Sequence, residues 1–143
     1  MAIFVRPFKA SDLEEFTPLE SMGEANQIPS WATAAEESKL AVTGYRDGKI
    51  VACGGAHPIN DEQGELWLRA SEECLKHPVE AVRWFKAALE IVEDTFPFKQ
   101  LNAIVNCSYK RGAKLVEMLG FSPTEVRTID GKQVIIYSKL VNE

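Results

Sequence analysis

The sequence predicts one α/β (α+β) domain, and three observations carry that reading. Two Asp-Gly steps, Asp47-Gly48 and Asp130-Gly131, each separate alternating apolar runs, the pattern of a strand–turn–strand hairpin. A long amphipathic stretch follows His77-Pro78. A short apolar run at 101–105 then leads into a second helical stretch closed by Gly120. In chain order the elements read β-α-(α)-β-β-β-α-β-α-β-β. No internal repeat, linker or low-complexity segment interrupts them, so residues 1–143 read as a single domain.

Each element has a local cause. Residues 3–8 alternate, with Ile3, Val5 and Pro7 opposed to Phe4, Arg6 and Phe8, as a strand does. Ser11 and Glu14 are spaced as a capping box, in which each side chain satisfies a free N–H at a helix start. Leu13 and Phe16 give that helix its apolar side, and Pro18 cuts it short or kinks it. Residues 19–38 are weakly patterned. Pro29-Ser30 marks a turn, 33–38 is a candidate helix, and Trp31 is expected to anchor the core rather than to receive a ligand.

The clearest local signal lies at 40–56. Leu40, Val42 and Gly44 share one face, and Ile50, Ala52 and Gly54 alternate on the returning strand. Gly54-Gly55 marks a bulge or a close backbone approach. After a polar turn at 60–64, residues 65–69 read as the third strand of an antiparallel meander. Pro78 suits a first helical turn, where its missing N–H costs nothing. Val79, Val82, Phe85, Leu89, Val92 and Phe96 then form an apolar stripe of about five turns, ended by Pro97. The run at 101–105 is expected to be a buried strand. Residues 108–119 form a helix with Leu115, Val116 and Leu119 inward, capped by Gly120 with Phe121 folding back. Residues 126–129 and 133–140 make the second hairpin.

Composition narrows the function classes. Hydrophobic residues make up 45% and charged residues 26%, enough to fill a core and keep a solvated surface. The net charge of -5 gives no basic footprint for nucleic acid. Lys110, Arg111 and Lys114 are a local basic group that reads first as a solvated helix face and only second as a basic patch. No stretch approaches the ~20 apolar residues a membrane span needs. The N-terminal residues lack the pattern of a signal peptide, so a cytoplasmic location is expected. Cys53, Cys74 and Cys107 are far apart, with no C-x-x-C pair, so neither a disulfide framework nor a metal site is expected. Cys107 near a helix start would have a lowered thiol pKa, against the plainer reading of a small half-buried filler. His57 and His77 show no triad partners and read as loop or capping residues.

The order of elements, the opening Val5-Arg6-Pro7 with Ser11-Asp12-Leu13, and the stretch from Leu101 to Leu119-Gly120-Phe121 resemble the GNAT acyl-CoA N-acyltransferases over nearly the whole chain. The resemblance implies a mixed, mostly antiparallel central sheet with helices on both faces. It implies acetyl-CoA as cofactor, an amine acceptor (a small molecule or a protein) and no metal. Its pantetheine arm would lie where the fourth and fifth strands splay, at Leu68 and Val105. The backbone around Trp67, Leu68 and Arg69 would pair with the arm, Asn106 and Tyr109 would flank it, and Lys110 would reach phosphate. Glu65 or Glu62 would serve as base and Tyr109 as proton donor. A narrower likeness, on Gly54-Gly55, Glu65-Leu66-Trp67-Leu68, Asn106 and Leu119-Gly120-Phe121, is to small GNAT-like proteins of T7-like bacteriophages. It implies a role in virion assembly or as an internal virion protein, in the host cytoplasm or the virion.

Two positions depart from the family pattern. Its phosphate loop, Q/R-x-x-G-x-G/A, falls here on Arg69-Ala70-Ser71-Glu72-Glu73-Cys74, which has no glycine and carries two carboxylates. Its usual proton-donating Tyr falls on Val116. Two readings therefore stand: an N-acetyltransferase with a degenerate phosphate loop, or an inactive GNAT-like protein of assembly and interaction.

Overall fold

The structure is a computed structural model, described over residues 4–16 and 30–141. The expected break at Pro18 and the turn at Pro29 lie outside the described residues. Strand β1 (Phe4–Pro7) runs into a short 3-10 helix at Ala10–Glu14. Helix α1 (Ala32–Ser38) precedes the meander β2 (Ala41–Arg46), β3 (Lys49–Pro58) and β4 (Gln63–Ala70). Helices α2 (Glu72–Leu75) and α3 (Pro78–Thr95) follow, then β5 (Gln100–Asn106) and α4 (Lys110–Met118). The hairpin β6 (Ser122–Ile129) and β7 (Lys132–Leu140) closes the order.

The seven strands form one sheet in the order β1-β2-β3-β4-β5-β7-β6. Every neighbouring pair is antiparallel except β4 and β5. One face is covered by α3 and α4, through Trp84, Phe85, Leu89, Val92 and Val116. The other carries α1 and the 3-10 helix, whose Ala32, Ala35 and Leu13, with Phe16 just beyond, pack with Phe8, Cys53 and Trp67. Helices therefore lie on both faces, as expected.

Both hairpins turn on their Asp-Gly steps. Asp47 and Gly48 have φ of 53° and 76°, and Asp130 and Gly131 have 50° and 78°. Two successive left-handed residues match the twist of the flanking strands. The cap of α4 also follows the sequence. Gly120 has φ 95°, its N–H donates to the Glu117 carbonyl, and the Phe121 N–H donates to the Val116 carbonyl. That pair of bonds is a Schellman motif, and it buries Phe121 in the core.

Several expectations are corrected. Neither Ser11 nor Glu14 caps the first helix. The Lys9 N–H instead donates to Asp12 Oδ2 at 2.9 Å, and the helix is a single 3-10 stretch. Asp12 is buried because Arg6 and the Thr43 hydroxyl also donate to it, at 2.8 and 2.7 Å. In α3 the buried stripe is Ala81, Trp84, Phe85, Ala88, Leu89 and Val92, while Val79 stays exposed. The apolar run in β5 is not buried on both sides. Leu101, Ala103 and Val105 face α3 and α4, while Ile104 is 42% exposed on the opposite face. At Gly54-Gly55 there is no bulge; the irregular register falls between Gly44 and Tyr45, which pair with Ala52 and Ile50 and leave Val51 extra. Gly55 is the close approach, since a Cβ there would strike the Leu40 carbonyl oxygen. Strand β4 begins at Gln63, earlier than expected, because Asn60 Oδ1 accepts the N–H groups of Glu62 and Gln63 and closes the turn there. Helix α2 is an element the sequence pattern did not announce.

Candidate functional site

Strands β4 and β5 pair only from Gln63↔Gln100 to Glu65↔Asn102. Beyond that point each follows its other neighbour, β4 along β3 to Ala70 and β5 along β7 to Asn106. The two strands therefore part before Leu68 and Val105, as the sequence led us to expect. The gap opens into a cavity of about 780 Å³, with Gly54, Leu68, Ala103, Val105 and Val116 among its lining residues.

Backbone alternation decides which groups face that gap. The Ser71 N–H donates to the Val51 carbonyl, and the Ala56 N–H donates to the Leu40 carbonyl. In an antiparallel ladder successive residues turn to opposite sides. Trp67 and Arg69 thus direct their backbone groups to β3, and Leu68 directs its own to the gap. The Leu68 carbonyl there accepts from the Arg69 guanidinium Nη1 at 2.9 Å.

Glu65, Asn106 and Tyr109 also line the cavity. Asn106 Oδ1 accepts from the Ser108 N–H and hydroxyl at 2.9 and 2.7 Å, which fixes its amide at the end of β5. Tyr109 precedes α4, and its ring lies where a Cβ on Gly112 would be, 2.6 Å from ring carbon Cδ2. Burial raises the Tyr109 hydroxyl pKa, with Arg111 opposing and Glu72 adding to the shift. Val116 is buried between the cavity and the core. Lys110 is exposed in the first turn of α4 and does not line the cavity. Glu62 is exposed in the turn before β4, and the Lys99 ammonium donates to it at 3.2 Å.

The far end of the gap is built differently. Ser71 Oγ accepts the Cys74 N–H at 3.2 Å, and the Leu75, Lys76 and His77 N–H groups donate to Ser71, Glu72 and Cys74 carbonyls. Pro78 opens α3 and has no N–H to offer. The backbone donors from Cys74 to His77 are therefore spent within the chain. Its carboxylates are engaged as well: Glu72 lies 3.7 Å from Arg111, and Glu73 pairs with Arg46, Lys76 and His77. Cys74 is fully buried, and burial pushes its thiol up to about 12.

On the face carrying α1, Trp67 and Arg69 are joined by Trp31 and His57, which sequence reasoning did not place at the site. Trp31 packs on Trp67 and His57, with ring centroids 4.8 and 4.7 Å away. The Arg69 guanidinium lies over the Trp31 ring, 5.5 Å from its centroid. Trp31 is thus half-buried and lines the cavity instead of sitting in a closed core. Burial lowers the His57 pKa, and the Arg69 charge lowers it further. Nothing local in the sequence links these four residues; only strand alternation at 65, 67 and 69 hinted that they share a face.

Solved structures share this architecture. The chain is similar to Ard1 from Thermoplasma volcanium, with a TM-score of 0.78 and 14% identity over 100% of each chain. It is similar to a GNAT-family acetyltransferase from Bacillus anthracis, with a TM-score of 0.75 and 12% identity over 100% of this chain and 97% of that one. It is also similar to a GNAT superfamily phosphinothricin acetyltransferase from Sinorhizobium meliloti in complex with acetyl-CoA, with a TM-score of 0.71 and 18% identity over 100% and 90%. No protein-family model and no curated protein sequence matches the chain. The parted β4–β5 pair in a seven-stranded mixed sheet is the GNAT acyl-CoA N-acyltransferase fold.

Proposed function

We propose that the chain is an acetyl-CoA-dependent N-acetyltransferase with a degenerate phosphate loop. The observation that carries this is the open gap between β4 and β5, with the Leu68 backbone turned into it. An extended amide-bearing arm fits such a gap, because the strand edge there offers the Leu68 N–H and the second lone pair of the Leu68 carbonyl, which already accepts one bond from Arg69. Asn106 and Tyr109 flank the arm on the β5 side. When bound, acetyl-CoA supplies the acyl group as a thioester. Glu65 takes the proton that the acceptor amine loses. The Tyr109 hydroxyl, kept protonated by burial, donates to the departing sulfur. Phosphate recognition is the weak part of the site, since the turn at Ser71–His77 spends the N–H groups of Ser71 and of Cys74 to His77 within the chain and carries the carboxylates of Glu72 and Glu73.

That same turn favours a second reading. With Val116 in place of a proton donor, it supports a protein of this fold that has lost catalysis and acts in interaction, such as phage virion assembly. Calorimetry with acetyl-CoA and CoA separates the two. A ligand at 100 times its Kd stabilises by about 2.7 kcal/mol. We expect measurable binding in the micromolar-to-millimolar range and N-acetylation of an amine. No binding and no thermal shift at millimolar CoA overturns the enzyme reading.

A further inference from the structure

Arg69 lines the gap and the proposed reaction does not use its chemistry. Its backbone turns to β3, so only its side chain reaches the cavity. Among the described residues no carboxylate pairs with it. Its contacts are the Leu68 carbonyl and the face of Trp31. Both leave it a full positive charge and unused N–H donors, since five such groups radiate from a guanidinium. Burial disfavours that charge and lowers the Arg69 pKa. Among the described residues this half-buried cation is held by one carbonyl and one ring and lacks a counter-ion.

The walls around it narrow what could supply one. Trp31, His57 and Trp67 are stacked or edge-packed within 5.8 Å of one another and give the recess apolar sides. The Trp67 indole N–H is buried and has no hydrogen-bond partner among the described residues. The Trp31 face that would attract a cationic ligand is already taken by Arg69. A polyamine entering here would meet like charge. A single carboxylate fits, accepting two N–H bonds from the guanidinium fork. Glu65 projects from the same face of β4, four residues away and about 13 Å along the strand. A proton acceptor and an oxyanion receptor thus stand at two ends of one recess.

We propose that Arg69, backed by Trp31, is the specificity-determining residue of the acceptor side, and that the acceptor is an amine bearing a carboxylate. This rests on the acetyl-transfer reading, and the test keeps the two apart. The full chain is assayed for CoA release with saturating acetyl-CoA and two matched panels, the L-amino acids and their carboxamides, with spermidine added as a polyamine. In parallel, thermal shift is read with N-acetyl-L-amino acids and their amides, without acetyl-CoA.

We expect turnover of one or more acids, with their amides and spermidine poorer by roughly 10-fold or more. In Arg69→Gln the KM for the acid should rise roughly 10- to 100-fold, with the amide and the KM for acetyl-CoA unmoved. Arg69→Lys should recover part of the loss, because charge remains and the fork does not. A KM for acetyl-CoA that rises in Arg69→Gln overturns the assignment, since Arg69 would then serve the cofactor. Equal turnover of acids and amides, preference for spermidine, or acetyl-CoA binding with none of the acids used overturns it too. If acetyl-CoA does not bind, the acetyl-transfer reading fails. A thermal shift with N-acetyl acids but not their amides, abolished in Arg69→Gln, would still support carboxylate recognition, and its absence would end that as well.

Discussion

The two ends of the β4–β5 gap are built on opposite terms. At the inner end, around Gly55, Trp67 and Leu68, the strands are packed so closely that Gly55 has no room for a Cβ against Leu40. The Leu68 backbone nevertheless faces the gap, where only the Arg69 guanidinium among the described residues meets its carbonyl. At the outer end Glu72, Glu73 and Lys76 are exposed and charged, and every backbone donor from Cys74 to His77 already has a partner within its own turn. The difference teaches that the slot is a property of the sheet, whereas the phosphate end is a property of one short loop. A sheet gap persists wherever β4 stays with β3 and β5 with β7. A loop changes with a few residues, which is why the fold can be intact while the cofactor end is altered.

The largest expected effects test the packed end. Gly55→Ala should destabilise by about 3 kcal/mol, because the added methyl meets backbone on β2 that cannot move without breaking the ladder. Glu73→Ala at the outer end should stay within about 0.5 kcal/mol, as exposed charges do. Urea midpoints at constant slope measure both, and similar losses would erase the contrast. Asp12→Ala comes next, at about 2 kcal/mol, since it takes the carboxylate from Arg6 and leaves the buried Thr43 hydroxyl only the Cys53 sulfur at 3.5 Å. Burial alone would raise the Asp12 pKa, but bonds from Arg6, Thr43 and Lys9 outweigh it and hold the carboxyl below 3.8. The sign follows: this stability is present above pH 3.8 and is lost as pH falls through the lower folded value. Acid unfolding of wild type should therefore steepen below about pH 4, and the variant should lack that component. Molar salt should leave it intact, unlike the exposed Arg111–Glu72 pair.

How much of this was legible in the sequence follows the same division. The hairpins and the Gly120 cap were readable because they depend on a few adjacent residues with special φ angles. The gap was readable only through family likeness, since splaying is decided by which neighbour each strand prefers. Val79 misled because an apolar residue at the right helical spacing near a helix start need not face the sheet, while Trp84 carries the core beside Gly44. Ser11 and Glu14 matched a capping box, but Asp12 won because Arg6 and Thr43 reach it from two strands. The recess of Trp31, His57, Trp67 and Arg69 joins residues up to 38 positions apart, and no local pattern encodes it.

The outer end offers the finer test of the contrast. Glu72→Gly with Cys74→Gly would restore Arg69-Ala-Ser-Gly-Glu-Gly, the spacing of the family's phosphate loop. The glycine at 72 removes a carboxylate and frees Arg111 from its partner at 3.7 Å. The glycine at 74 unwinds α2 and releases the Cys74 N–H from Ser71. Loss of the buried Cys74 side chain costs about 1–2 kcal/mol of stability, so thermal shift must be read against each protein's own baseline. If the loop alone is what weakens phosphate recognition, CoA affinity should rise about 10-fold, equivalent to about 1.4 kcal/mol. The gain should shrink with salt and vanish for pantetheine, which lacks the phosphates. Glu72→Gln alone should give a smaller rise, about 3-fold, because it removes charge without freeing an amide. An equal gain for pantetheine would place the improvement in the slot and break the contrast between the two ends. No gain at all would mean that the sheet gap, not the loop, limits binding.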